Sequence, residues 1–243
     1  MRLTKITIIS AELELRTGLH IGAGDGMMQI GGVDKEIIRH PLTREPYIPG
    51  SSLKGKIRSL LEWRSGAVQE KALGRHQLEK PGVLPILQLF GISGSDFSDL
   101  DAAEAQKVAQ KVGPARLAFW DCPLSKASRE RMREANVPLT EVKSENSINR
   151  ISGTADNPRF IERVPAGMSF DFRLSFKRLD GDGSEELLNM VLAGLKLLEW
   201  DSLGGSGSRG YGKVRFVALK EDDKDIAADF GKLEPFGEQG RPC

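Results

Sequence analysis

The sequence predicts an α+β fold, and three observations predict it. Residues 170–179 (FDFRLSFKRL) alternate, with Phe170, Phe172, Leu174 and Phe176 on one side and Asp171, Arg173, Ser175 and Lys177 on the other. That is the period-two signature of a half-buried strand. Leu53, Ile57, Leu60 and Leu61 recur at helical spacing behind the breaker Pro49-Gly50, which marks an amphipathic helix. A mostly apolar helix over 184–200 then stands between two strands.

Taken in order, residues 3–16 read as a long strand, with Ile6 and Ile8 on one face and a clean alternation over Glu12-Leu13-Glu14-Leu15-Arg16. The glycine-rich stretch 17–32 reads as loop; its Gly22-Ala-Gly24-Asp-Gly26 is too generic to assign. The helix after Pro49 has Ser51 or Ser52 available as a cap. Lys54 and Arg58 sit four apart on a stripe beside its apolar face, with Lys56 close by. Like charges at that spacing repel, and cations near a helix N-terminus oppose its dipole. An anion there removes both costs; a solvated basic face is the equally weighted alternative.

Residues 65–114 read as an irregular insertion holding an apolar patch at 84–90 and a helix at 102–112. Residues 115–122 (ARLAFWDC) read as a short apolar strand, expected to be central in a sheet. A surface helix is expected over 126–135. The polar stretch 143–165 shows no hydrophobic period, and an excursion of that length is functional or disordered. Ser184 is expected to cap the apolar helix. A loop with five glycines in the nine residues 204–212 leads to a closing strand at 213–219. The acidic tail from Lys220 is expected to be partly disordered. Strand, helix, strand, strand, helix, strand is the ferredoxin-like βαββαβ order.

With 243 residues the chain can bury a real core. Its 35 Lys and Arg against 34 Asp and Glu leave a formal charge of +1, so only local charge can speak for a polyanion. Bases gather at 54–64, 126–133 and 143–163. The 2 cysteines and 3 histidines show no disulfide or zinc spacing. No apolar signal core and no run near the roughly 18 residues of a membrane span occur. A reducing, cytoplasmic setting with no membrane partner is the expectation.

Gly205-Ser-Gly207-Ser-Arg209-Gly210 fits G-x-G-x-x-G, but a dinucleotide site needs strand before and helix after. Here the order is reversed, which disfavours a nucleotide-binding enzyme. A glycine loop can still bring backbone N–H groups close to phosphate, and Arg209 and Lys213 add charge. Asp34, between a Gly-Gly turn and an apolar step, is the acid best placed for chemistry; an ordinary turn aspartate is the commoner role. Only Glu36 stands beside it, so a two-metal carboxylate site is not supported. Phe160 and Tyr211 are candidates for base stacking, with core packing the commoner fate.

Several blocks together resemble one family. IGGVDKEIIRHPLTREPYIPGSSLKGKIRSLLE, ENSINRISGTADNPRFIERVPAGMSFDF and LGGSGSRGYGKVRF are similar to the backbone subunit of type III-A CRISPR effector (Csm) complexes, a RAMP-superfamily protein with an RRM-like, ferredoxin-type core. The resemblance implies a single RAMP domain over 1–243, with lid-like and thumb-like insertions near 17–50, 65–114 and 123–166 (the thumb) and a tail at 220–243. It implies copies stacked in a filament along crRNA beside other subunits of the effector complex. Paired target RNA would be cut at regular six-nucleotide intervals by a metal-dependent endoribonuclease in antiviral defence. The G-G-[IV]-D motif implies that Asp34 is catalytic and holds a divalent metal, Mg²⁺ or Mn²⁺. RNA binding is implied for Ser51, Ser52, Lys54, Lys56 and Arg58, for Arg150 and Arg159 in the thumb, and for Gly205, Gly207, Arg209 and Gly210. A non-catalytic RNA-binding scaffold of the same complex, and a metal-independent crRNA-processing RAMP endonuclease using His20 or His40, remain as alternatives.

Overall fold

The computed structural model describes residues 1–24, 34–181 and 183–237. The glycine-rich turn before Asp34, the middle of the predicted 181–183 turn and the last residues of the tail lie outside them. In chain order, β1 (Leu3–Leu15) and β2 (Tyr47–Ile48) precede α1 (Gly50–Ser65), α2 (Val83–Phe90) and α3 (Ala102–Val112). Then come β3 (Leu117–Phe119), β4 (Cys122–Pro123), α4 (Lys126–Ala135), β5 (Glu141–Ile148), β6 (Ala155–Arg163) and β7 (Ser169–Leu179). The chain closes with α5 (Ser184–Trp200), β8 (Val214–Glu221), β9 (Lys224–Asp225) and α6 (Ala227–Gly231).

The central sheet runs β3-β7-β1-β8-β9, antiparallel throughout. Its first four strands interleave two βαβ units, β1-α1-β3 and β7-α5-β8, which is the ferredoxin-like arrangement. Register places Leu13 opposite Phe170 and Ile9 opposite Leu174. This buried face packs under Leu53, Ile57 and Leu61 of α1 and Leu188, Val191 and Leu195 of α5. Gly194 lets the two helices close: a Cβ there would lie 2.7 Å from Ile57 Cγ2.

Five local expectations need correcting. The apolar strand at 117–119 is an edge strand, not a central one; it is apolar because α2 covers it, with Phe119 stacked 6.2 Å from Phe90. The 143–165 stretch is not structureless but forms the β5–β6 hairpin. Most of that hairpin is exposed, so no buried face imprints an apolar period. The described part of the tail, residues 220–237, packs on the core, with Ile226 and Phe230 buried and Phe230 edge-on to Phe216. The N-cap of α5 falls on Gly183 instead of Ser184. At α1 the N-cap is Pro49, and neither serine caps. Instead Asp121 accepts the Gly50 N–H at 2.7 Å from across the sheet edge. Gly50 has to be glycine, since a Cβ would lie 2.9 Å from the Phe119 and Trp120 carbonyl oxygens.

A buried hydroxyl network joins α4 to the sheet. Ser169 Oγ lies 2.9 Å from Ser125 Oγ and 3.0 Å from Ser128 Oγ, and donates to Glu12. The Ser169 N–H donates to Ser128 Oγ at 2.8 Å. Ser128→Val leaves that N–H buried without an acceptor, which costs about 1–3 kcal/mol. Chemical denaturation should show a loss of that size; an unchanged midpoint would show the network to be dispensable.

Candidate nucleic-acid interface

The predicted basic residues of α1 meet different fates. Ser51 is exposed and Ser52 half-buried at the start of the helix, whose first turn holds no acid. Lys54 is half-buried and has no ion pair among the described residues. Lys56 pairs with Asp201 at 2.6 Å. Arg58 is turned inward: it donates to Glu62 at 2.8 Å and to the Gly91 and Leu73 carbonyls at 3.2 and 2.6 Å. Its donors brace the insertion that follows α1, leaving Lys54 as the uncommitted cation of that stripe.

The glycine loop owes its composition first to packing. A side chain at Gly204 would run into the His20 carbonyl, one at Gly207 into the Ser202 side chain, and one at Gly212 into the Leu203 backbone. The Gly205 N–H donates to His20 O at 2.9 Å and the Gly210 N–H to Gly207 O at 3.1 Å. Those two N–H groups are therefore spent within the fold, contrary to the expectation that they face phosphate. Lys213 caps the C-terminal carbonyls of α5 at Trp200 and Asp201, 3.2 and 2.7 Å away, as a cation there should. Arg209 alone reaches outward, and its Nη1 lies 2.8 Å from Glu145 on β5.

That contact joins the loop to the hairpin. Between them lies an open cleft of about 490 Å³ lined by Lys143, Arg150, Arg159 and Arg209 around Glu145. Three residues singled out in the sequence, Arg150, Arg159 and Arg209, thus share one concave surface. Beneath it Tyr211 is fully buried, with Lys143 Nζ and the Arg163 guanidinium 4.6 and 4.9 Å from its ring centre. Burial leaves its ring no exposed face for a base, so core packing is its role here. Burial, then the Glu145 carboxylate, pushes the Tyr211 phenol up to about 12. The Tyr211 hydroxyl, Arg209 and Lys143 hold the Glu145 carboxyl below its usual range, although neither Tyr211 Oη nor Glu145 Oε1 completes a hydrogen bond of good geometry. On the hairpin Phe160 is half exposed, and Ile151 is 99% exposed at the tip.

Asp34 is exposed. Its Oδ2 accepts the Phe160 N–H at 2.7 Å, one residue along β6 from Arg159. The next residue continues the attachment: Lys35 bridges Ile161 in parallel, and its carbonyl accepts the Glu162 N–H at 3.0 Å. Sequence reading missed the clamp that holds this crossing. Glu162 accepts from Ile37 N at 3.0 Å, from Thr140 Oγ1 at 2.8 Å and from both terminal nitrogens of Arg39. Burial opposes ionisation, but these donors prevail and hold the Glu162 carboxyl at about 2. The nearest of these partners is 22 residues away in the chain, so no local motif announces it.

No group of three or more His, Cys, Asp or Glu gathers to cage a metal among the described residues. Asp34 offers one exposed carboxylate whose Oδ1 has no hydrogen bond among them. That donor set suits a hard cation completed by water and phosphate oxygens, the usual manner of Mg²⁺. His20 is buried with Nδ1 2.7 Å from Glu162 O, and His40 Nδ1 accepts the Leu42 and Thr43 N–H groups at 3.3 Å each.

A sequence profile of the RAMP superfamily matches residues 12–215. The chain belongs to the RAMP superfamily. Among its relatives within the superfamily is the CRISPR system Cms endoribonuclease Csm3 of Methanothermobacter thermautotrophicus, 42% identical over 228 residues covering 93% of this chain and 89% of that one. The Streptococcus thermophilus protein of the same name is 42% identical over 215 residues, 87% of each chain. In solved structures, the Csm3–Csm4 subcomplex of the type III-A CRISPR-Cas interference complex contains a chain 25% identical at TM-score 0.54, with 96% of this RAMP chain and 99% of that one covered. No helix among the described residues is long and apolar enough to cross a membrane.

Proposed function

We propose that this chain is the crRNA-binding backbone subunit of a type III-A CRISPR effector complex and an endoribonuclease that cuts complementary target RNA at regular six-nucleotide intervals. The observation that carries the reading is the cleft in which Arg150, Arg159 and Arg209 face one another while Asp34 is tied to the residue after Arg159. Cations on a concave track bind ribose-phosphate without regard to sequence. Sequence is then read by guide–target pairing, the division of labour of RNA-guided effectors. Lys54, Ser51 and Ser52 at the start of α1 are taken as further RNA contacts.

The names of the relatives, endoribonucleases of CRISPR systems, support the same reading. The Csm3–Csm4 subcomplex of a type III-A interference complex supports other subunits of the complex as partners; crRNA, target RNA and further copies stacked in a filament complete the proposed set. The whole chain works as one RAMP domain with the β5–β6 hairpin as its thumb. A divalent Mg²⁺ or Mn²⁺, when bound, neutralises charge developing on the scissile phosphate. Asp34 supplies the protein ligand, and the Phe160 N–H orients it by holding one carboxylate oxygen.

The test is to purify the chain with its neighbouring gene products from its own cells and sequence the RNA that comes with it. A discrete short RNA bearing a repeat-derived 5′ handle is expected. A folded complex that carries no RNA, or a random mixture, overturns the reading.

A further inference from the structure

The RNA cleft contains an anion of its own. Glu145 stands in the middle of β5, paired in register with Arg159. Its Oε2 lies 2.8 Å from Arg209 Nη1 and its Oε1 3.6 Å from Lys143 Nζ. The Glu145 side chain is 12% exposed and that of Arg209 58% exposed, so the carboxylate is recessed beneath a guanidinium whose outer side is open. Arg150 and Arg159 have no carboxylate partner among the described residues. Arg–carboxylate and Arg–phosphate pairs use the same N–H···O geometry. Glu145 therefore makes with Arg209, and more loosely with Lys143, the contact that a backbone phosphate needs, at two of the four cations of the cleft and not at Arg150 and Arg159.

We propose that Glu145 is a resident counter-anion: without RNA it holds Arg209 of the glycine loop to the thumb, and a phosphodiester displaces it. The inference rests on the reading of this cleft as an RNA site. Binding at Arg209 is then an exchange of one ion pair for another, whereas Arg150 and Arg159 gain a partner outright. The acid keeps loop and thumb together in the empty cleft and lowers its affinity for any RNA. Charge on Glu145 is kept by the hydroxyl of Tyr211 and by the two cations beside it, so the pair persists in ordinary buffer.

The test is fluorescence anisotropy with a fluorescein-labelled oligouridylate and the purified full chain. Glu145→Gln keeps the shape and removes the charge. It is expected to bind about two- to fivefold more tightly, the worth of an exposed ion pair, and the gain should vanish in an Arg209→Ala background. Unchanged or weaker binding by Glu145→Gln, with Arg159→Ala still weakening it, overturns the counter-anion and leaves the RNA site standing. If neither Arg150→Ala nor Arg159→Ala weakens binding, the RNA reading of the cleft itself fails. Should Glu145→Gln misfold, the wild-type chain gives a second measurement. The Arg209 side-chain Nε–H resonance, identified by its loss in Arg209→Lys, should shift as oligouridylate saturates the chain; a resonance that stays put overturns the exchange.

Discussion

Asp34→Ala is expected to abolish periodic cutting of target RNA, a loss of at least about 100-fold for removal of a group acting directly on the reacting atoms. Guide and target binding should stay within about twofold of wild type, because Asp34 is not one of the cations that attract a polyanion. The structure separates the two effects. Asp34 is exposed and its one hydrogen bond among the described residues is to the Phe160 N–H, an amide that water can solvate once the carboxylate is gone. Asp34→Asn refines the test, since the amide oxygen still accepts from Phe160 while the charge is lost. Cutting by Asp34→Asn at the wild-type rate would show that the negative charge has no part in the chemistry. Loss of RNA binding in either variant would make Asp34 a structural residue. Chelation with EDTA should stop the wild-type reaction and Mg²⁺ or Mn²⁺ restore it. A 2′,3′-cyclic phosphate on the upstream product would identify the target 2′-OH as nucleophile. Wild-type chain that binds matched RNA and never cuts it would leave only the scaffold reading.

How much of this was legible in the sequence follows from where each residue buries its side chain. Phe170 to Phe176 alternate because one face of β7 is the core, and that period named the strand to within a residue. Leu53, Ile57 and Leu61 named α1 as a helix in the same way, though not its first or last residue. The β5–β6 hairpin left no apolar period in the sequence, because most of it is exposed and has little inside to record. Charged residues were legible as composition but not as role. Arg58 and Lys54 look alike in a basic run, yet one is bonded to three groups of the fold and the other to none among the described residues. The glycine loop misled in the same way: its glycines were read as room for phosphate, and the packing of His20, Ser202 and Leu203 against it requires them anyway. Asp34 was singled out through its motif, while Glu162, which holds the segment behind it, lies more than a hundred residues on and carries no motif.

Arg39→Ala is expected to destabilise the protein by about 2–4 kcal/mol at neutral pH, since it strips the partner from a buried carboxylate. Glu162 is 9% exposed and takes hydrogen bonds from Arg39, Thr140 and the Ile37 N–H. With its folded pKa held down to about 2, the native state binds fewer protons at this site than the unfolded chain in mildly acid solution. The stabilisation is therefore fully present above the ordinary carboxylate pKa and is lost as the pH falls from there toward about 2, on the order of 3 kcal/mol in all. Without Arg39 the burial of Glu162 is opposed only by the two remaining donors, so its pKa rises and acid unfolding begins at a higher pH. Glu162→Gln cannot titrate there, and its stability should fall less steeply over the same acid range. Denaturant midpoints of the three proteins, measured from neutral pH down through that range, separate these curves. An Arg39→Ala variant that matches wild type in midpoint and in acid slope would show that the segment from Asp34 to Arg39 is held to β6 by its backbone bridges alone.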